Sequence, residues 1–161
     1  MMSFLFVLMA VLASPLSSAA SDQSSAYSVE RDKCLADTSA TCTWGDVCSI
    51  ECAVDLTKKY DELLNATYKT LRSRLKGTEA DSKLLASERA WVKSLTKKCV
   101  DDGIKDMDKQ SVMDAHLQLS GAENSCTADE TWDRLQFLKR LASQPDANKI
   151  LSILSASSHH S

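Results

Sequence analysis

The sequence predicts an all-α fold, a small disulfide-stapled helical bundle built on a long antiparallel helical hairpin. Three observations carry this. Residues Glu51 to Cys99 read as two amphipathic helices hinged at Gly77. Four glycines and two prolines leave little turn chemistry for a many-stranded β protein. Six cysteines in a chain with an export-like start point to three disulfides.

In the first arm of the hairpin, Tyr60, Leu64, Tyr68, Leu71 and Leu75 recur at steps of three and four, which makes one apolar stripe. In the second arm, Leu84, Leu85, Trp91, Val92, Leu95 and Cys99 fall on one broad face. Gly77 sits where a helix ends, because glycine alone enters the left-handed conformation there without steric cost. Thr78 offers an N-cap oxygen, with Asp81 three residues on as an imperfect capping box. The arms are expected from about Val47 to Lys76 and from about Glu79 to Asp102.

Residues 1–20 contain no charged side chain, and the apolar run from Phe4 to Leu12 is short for a membrane span. Ser18 and Ala20 fit a signal-peptidase site, which puts the mature start at Ser21. Residues 1–20 are therefore expected to be a signal peptide, and the mature chain to be secreted or periplasmic without stable membrane insertion. A retained anchor is the alternative, and the first residues lack the lysine or arginine common in leaders. Residues 21–28 are serine-rich and polar, an expected disordered lead-in. The helical domain is assigned to residues 29–142, and a short tail helix with a flexible end to 143–161.

A short helix from Val29 to about Ala40 carries Cys34 and Leu35, and a turn from Thr41 to Asp46 holds Trp44. Cys99 and Cys126 flank a connecting segment, and closing it would stabilise by roughly 3–4 kcal/mol in the chain-entropy model. Among the other four cysteines, the nested pairs Cys34–Cys52 and Cys42–Cys48 would staple an N-terminal hairpin onto the first arm. Eight helical residues rise about 12 Å, so the chain between these cysteines must leave helical geometry somewhere near Thr41 to Gly45. Other connectivities remain open on sequence grounds. No histidine lies in the cluster and the spacings miss zinc-ribbon patterns, so no metal is expected.

Met107 to Leu119 is expected to form a third helix that stops near Gly121, and Thr127 with Glu130 to cap a fourth. Trp132, Leu135, Leu138 and Leu141 give that helix an apolar face. Pro145 stops it, Asp146 recaps, and Ile150, Leu151, Ile153 and Leu154 form the tail helix. Asp101, Asp102, Asp106 and Asp108 crowd the end of the second arm, where negative charge opposes the helix dipole. That local cost makes them the candidate surface for a basic partner, against a plain solvated loop.

No phosphate loop, nucleophile elbow or paired-histidine helix appears, so neither an enzyme nor a cofactor is expected. A net charge of −3 with mixed signs argues against nucleic-acid binding. Asp61 and Glu62 point about 100° apart on a helix and are not an acid–base pair, although one of them could meet Arg89 across the hinge. Asn65-Ala66-Thr67 matches a glycosylation sequon, which has meaning only in a eukaryotic host.

A further pattern runs through these elements. Cys52 is followed by Asp61, Leu64-Asn65 and Tyr68, and Ser87-Glu88-Arg89-Ala90-Trp91-Val92 precedes Cys99 by a fixed step. Cys126, Thr131 and Arg134 close the series. Together they resemble the LprI-like lysozyme inhibitor N-terminal domain family, over roughly Cys34 to Leu138. Asp61, Asn65, Tyr68, Arg89, Trp91 and Arg134 match the family's structural motif. The resemblance implies a helical disulfide domain in the cell envelope and, for the characterised type, a lysozyme as protein partner. Glu88 stands where the family usually has glutamine, the segment between Cys99 and Cys126 is long, and Cys42 and Cys48 look additional. The alternative is an exported interaction module with another target, for which the tail helix is the feature of interest.

Overall fold

The structure, a computed structural model, describes residues 19–39, 42, 45–105 and 112–157. Five helices account for nearly all of them: α1 (Ala19–Ser39), α2 (Gly45–Leu75), α3 (Glu79–Lys105), α4 (Val112–Ala142) and α5 (Ala147–Ser157). Residues 1–18 of the expected signal peptide, Trp44, Asp106, Asp108 and the C-terminal histidines lie outside the described residues.

The turn between α2 and α3 forms as its residues dictate. Gly77 takes φ 81°, and Thr78 Oγ accepts from the Asp81 N–H at 3.4 Å. The Asp81 carboxylate does not complete a capping box. It receives Arg72 instead, with Nε–Oδ1 at 2.7 Å and Nη2–Oδ2 at 3.2 Å. A fork-shaped guanidinium offers two charge-assisted bonds, more than the single backbone N–H it displaces. Arg72, not Arg89, is thus the arginine that spans the hinge. Arg89 is exposed, and Asp61 accepts from Asn65 one turn along the same helix at 2.9 Å.

α4 lies along both arms of the hairpin. Its most extensive packing is against α2. Gly121 faces Ile50 near the start of α2, and Arg74 near its end donates to the Leu141 and Ala142 carbonyls, so α2 and α4 run parallel. Lys98–Glu130 and Glu88–Arg134 place α3 antiparallel to α4. The core forms where these three helices meet: Tyr60, Leu64, Leu71 and Leu75 from α2, Leu84 from α3, and Leu135, Leu138 and Leu141 from α4. Val92, expected on the apolar face of α3, is instead 53% exposed. The arms touch each other little away from the hinge, so that edge of α3 has no neighbour to bury it.

Two boundaries differ from the sequence reading. Residues 112–142 form one helix rather than two, and it passes straight through Gly121. A side chain there would meet only Ile50, at 3.6 Å, so the glycine marks a close approach to α2 and not a stop. Thr127 likewise caps nothing: its hydroxyl donates to the Glu123 carbonyl at 2.7 Å, the bond a threonine makes inside a helix. The second difference is α1, which includes the serine-rich residues 21–28 expected to be disordered. Cys42 is outside any helix, between α1 and α2.

Asp146 caps α5, accepting the Lys149 N–H at 2.9 Å. Ile150 and Leu154 are buried in the common core, and α5 packs on α3. Its apolar face is therefore already used within the chain. The disulfides join Cys34 to Cys52, Cys42 to Cys48 and Cys99 to Cys126, with Cα–Cα separations of 5.7, 5.7 and 5.4 Å. No helix among the described residues is long and apolar enough to cross a membrane.

Candidate protein-interaction surface

The motif residues divide into a buried cluster and an exposed rim. Arg134 on α4 reaches Glu88 on α3 through Nε at 3.0 Å and Nη2 at 2.7 Å, and Nη2 also donates to Ser87 Oγ at 3.0 Å. The rings of Phe137 and Trp91 flank the guanidinium at 4.9 and 5.8 Å. Helical spacing explains the grouping, since Arg134 and Phe137 are three apart on one face, as are Glu88 and Trp91. With its donors engaged and its faces covered, this cluster fixes the register of α3 on α4 rather than presenting chemistry to a ligand.

The remaining motif residues sit outside it. Asp61 and Asn65 are exposed on α2 and bonded to each other, while Tyr68 is half-buried with Arg72 over its ring at 5.9 Å. Hydrogen bonds from Arg72 hold the Asp81 carboxyl below the usual carboxylate range. The structure does not bring Asp61, Asn65 or Arg89 together with Arg134. Among the described residues, no group of three or more His, Cys, Asp or Glu converges as a metal site.

Midway along α2, where α1 and α4 both meet it, the sequence reading missed a second grouping. Tyr27 on α1 rests on Tyr60 and Trp132, with ring centroids at 6.1 and 5.8 Å, and Tyr60 and Trp132 approach to 4.8 Å. Glu30 accepts from the Tyr60 hydroxyl at 2.8 Å and from Lys59 at 2.6 Å. The Lys59 contact, with the tyrosine bond, keeps the Glu30 carboxyl below its ordinary range despite some desolvation. Burial first, then the bond to Asp129, pushes the Tyr27 hydroxyl up. Burial, then Glu30, does the same to Tyr60.

Asp129, Glu130 and Asp133 lie beside these rings on α4. Desolvation raises the Asp133 carboxyl, with the charges of Glu130 and Asp129 adding to it. The i, i+4 spacing of Asp129 and Asp133 was a legible signal for a shared acidic face. Nothing in the serine-rich segment signalled that Tyr27 would join it. Lys98 pairs with Glu130 at the edge of this face.

Asp101 and Asp102 fall within α3, which continues to Lys105 rather than ending at Asp102. The Cys99–Cys126 disulfide clamps α3 to α4 just before them. Asp106 and Asp108 follow α3 in the sequence and lie outside the described residues.

A family model described as "Lysozyme inhibitor LprI" matches residues 45–138, which takes in all of α2 and α3 and most of α4. No curated protein and no solved structure matches the chain. With more than half of its length matched, including both arms of the hairpin and the helix locked to them by Glu88 and Arg134, the chain belongs to the LprI lysozyme inhibitor family.

Proposed function

We propose that this protein acts outside the cytoplasm by binding a lysozyme-type cell-wall hydrolase and blocking it. The family match carries the reading, because it covers the part of the chain that forms the hairpin and its α4 partner. Three disulfides among the described residues suit an oxidising compartment. The family is one of inhibitors rather than enzymes, and the buried polar cluster at Arg134 serves packing.

We assign the docking role to Asp101 and Asp102, in the last turns of α3, together with Asp106 and Asp108 in the sequence that follows it. Lysozymes are typically basic and work through carboxylates in a cleft, so an acidic run is attracted by long-range charge and competes with substrate.

The test is lysozyme turnover on a cell-wall substrate, titrated with the oxidised protein against several lysozyme classes. Stoichiometric inhibition that weakens as salt rises is the expected result. Absence of inhibition toward every class, by protein shown to be folded, removes the reading. Asp-to-Asn changes at the four aspartates should weaken inhibition and flatten its salt dependence; unchanged inhibition places the docking surface elsewhere.

A further inference from the structure

α1 is attached to the rest of the fold in a manner unlike any other helix. Between Tyr27 and Thr38 none of its side chains is fully buried, and Val29 is 65% exposed. Tyr27, Cys34 and Leu35 face the core from α1, each only partly buried. By contrast α5, half as long, buries Ile150 and Leu154 completely or nearly so. Apolar burial is the main source of helix docking energy, at about 25 cal/mol per Å². α1 buries none of Tyr27, Cys34 and Leu35 completely, and what holds it includes the Cys34–Cys52 bond, the packing of Leu35, and the contacts of Tyr27 and Glu30 to Asp129, Lys59, Tyr60 and Trp132.

The family match marks which residues α1 lies against. It begins at residue 45, where α2 starts, and leaves α1 outside. α1, like α5, lies outside the matched residues and packs against them. What α1 covers is a close aromatic pair among those residues, Tyr60 and Trp132.

We propose that α1 is a detachable strap, retained over Tyr60 and Trp132 by the Cys34–Cys52 disulfide, and that reducing this bond uncovers the pair while α2–α5 stays folded. The reductant is a dithiol. Its thiolate attacks one sulfur of the bond, its second thiol resolves the mixed disulfide, and two electrons and two protons pass to Cys34 and Cys52. Cys42–Cys48 joins a residue outside α1 to the start of α2, so it holds no residue of α1 itself.

Hydrogen exchange on the full oxidised chain tests this, comparing wild type with Cys34→Ala/Cys52→Ala. Alanine is used because Cys52 is buried and a serine hydroxyl there would lack solvent. Amides of residues 27–38 should lose protection by about tenfold or more, while α2–α5 keeps its own. Unchanged protection in α1 overturns the proposal, because the non-covalent contacts would then suffice. Loss of protection throughout α2–α5 overturns it too, because α1 would be part of the cooperative core. A second measurement covers poor folding of the variant: wild type, folded first and then titrated with dithiothreitol, is followed by the same exchange as each bond opens. Protection lost in α1 on opening of Cys34–Cys52 supports the strap; global loss at that step sinks it.

Discussion

Arg134 Nη2 lies 2.7 Å from Glu88 Oε2, and the two side chains are only 10% and 12% exposed. An ion pair so enclosed compensates its own desolvation only while both partners are present. Glu88→Ala should therefore cost about 3–5 kcal/mol, because it leaves the guanidinium buried and unpaired. The joint replacement Glu88→Leu/Arg134→Met should recover most of that loss. Urea unfolding of the two singles and the double completes the cycle, and a double variant as unstable as Glu88→Ala would contradict the assignment.

The two glycines of the hairpin and α4 should respond in opposite directions. Gly77→Ala forces a side chain into φ 81° and should destabilise by about 1 kcal/mol, although no atom would clash with it. Gly121→Ala sits inside a helix with room beside Ile50, and should stabilise by up to about 1 kcal/mol. Thermal unfolding of the pair distinguishes a turn glycine from a helix-interior one, and a stabilised Gly77→Ala would refute the turn geometry.

Asp133 is the carboxylate whose charge the fold opposes. Its pKa is raised chiefly by desolvation, so the native state holds its proton to higher pH than the unfolded chain does. The cost is absent below the unfolded value and grows as pH rises through the folded one. Asp133→Asn should stabilise at neutral pH by less than about 1 kcal/mol, since solvent screens the site. In acid the gain should vanish. Stability curves against pH for the two proteins check both halves.

Glu30 has the opposite sign. Its lowered pKa, due first to Lys59, supplies stability that is present above the ordinary glutamate value and is lost as pH falls through the depressed one. Glu30→Gln should be less stable than wild type at neutral pH, and the two should converge in acid. A constant difference across that range would show that the Lys59 and Tyr60 contacts do not depend on the carboxylate charge.

The tail helix belongs to the core. Leu154 is 2% exposed and joins the same cluster as Leu84 and Leu141. Leu154→Ala should cost about 2–5 kcal/mol, the range for emptying a core leucine site. A change near zero in denaturant unfolding would mean that α5 is peripheral and its apolar face free for a partner.

The elements themselves were largely legible in the sequence. The stripe from Tyr60 to Leu75, the stop at Gly77 and the cap at Asp146 are local facts, set by helical period, backbone sterics and one side-chain oxygen. Gly121 misled because a glycine signals a stop only when nothing outside the helix gives it another use. Here α2 supplies that use, through Ile50. Arg89 misled in a similar way, since spacing along a helix shows which residues share a face but not which face another helix approaches.

Taken alone, the sequence determined that the chain is helical, hinged at Gly77 and rich enough in cysteine for three bonds, because each follows from residues near one another along the chain. The tertiary structure decided which charges meet and which apolar edges are left open. Glu88 found Arg134 across 46 positions, Asp81 turned from its own helix cap to Arg72, and Val92 stayed in solvent. The physical reason is that burial and ion pairing depend on how α4 fills the space between the hairpin arms. That arrangement arises from the summed packing of three helices, and no single helical period contains it.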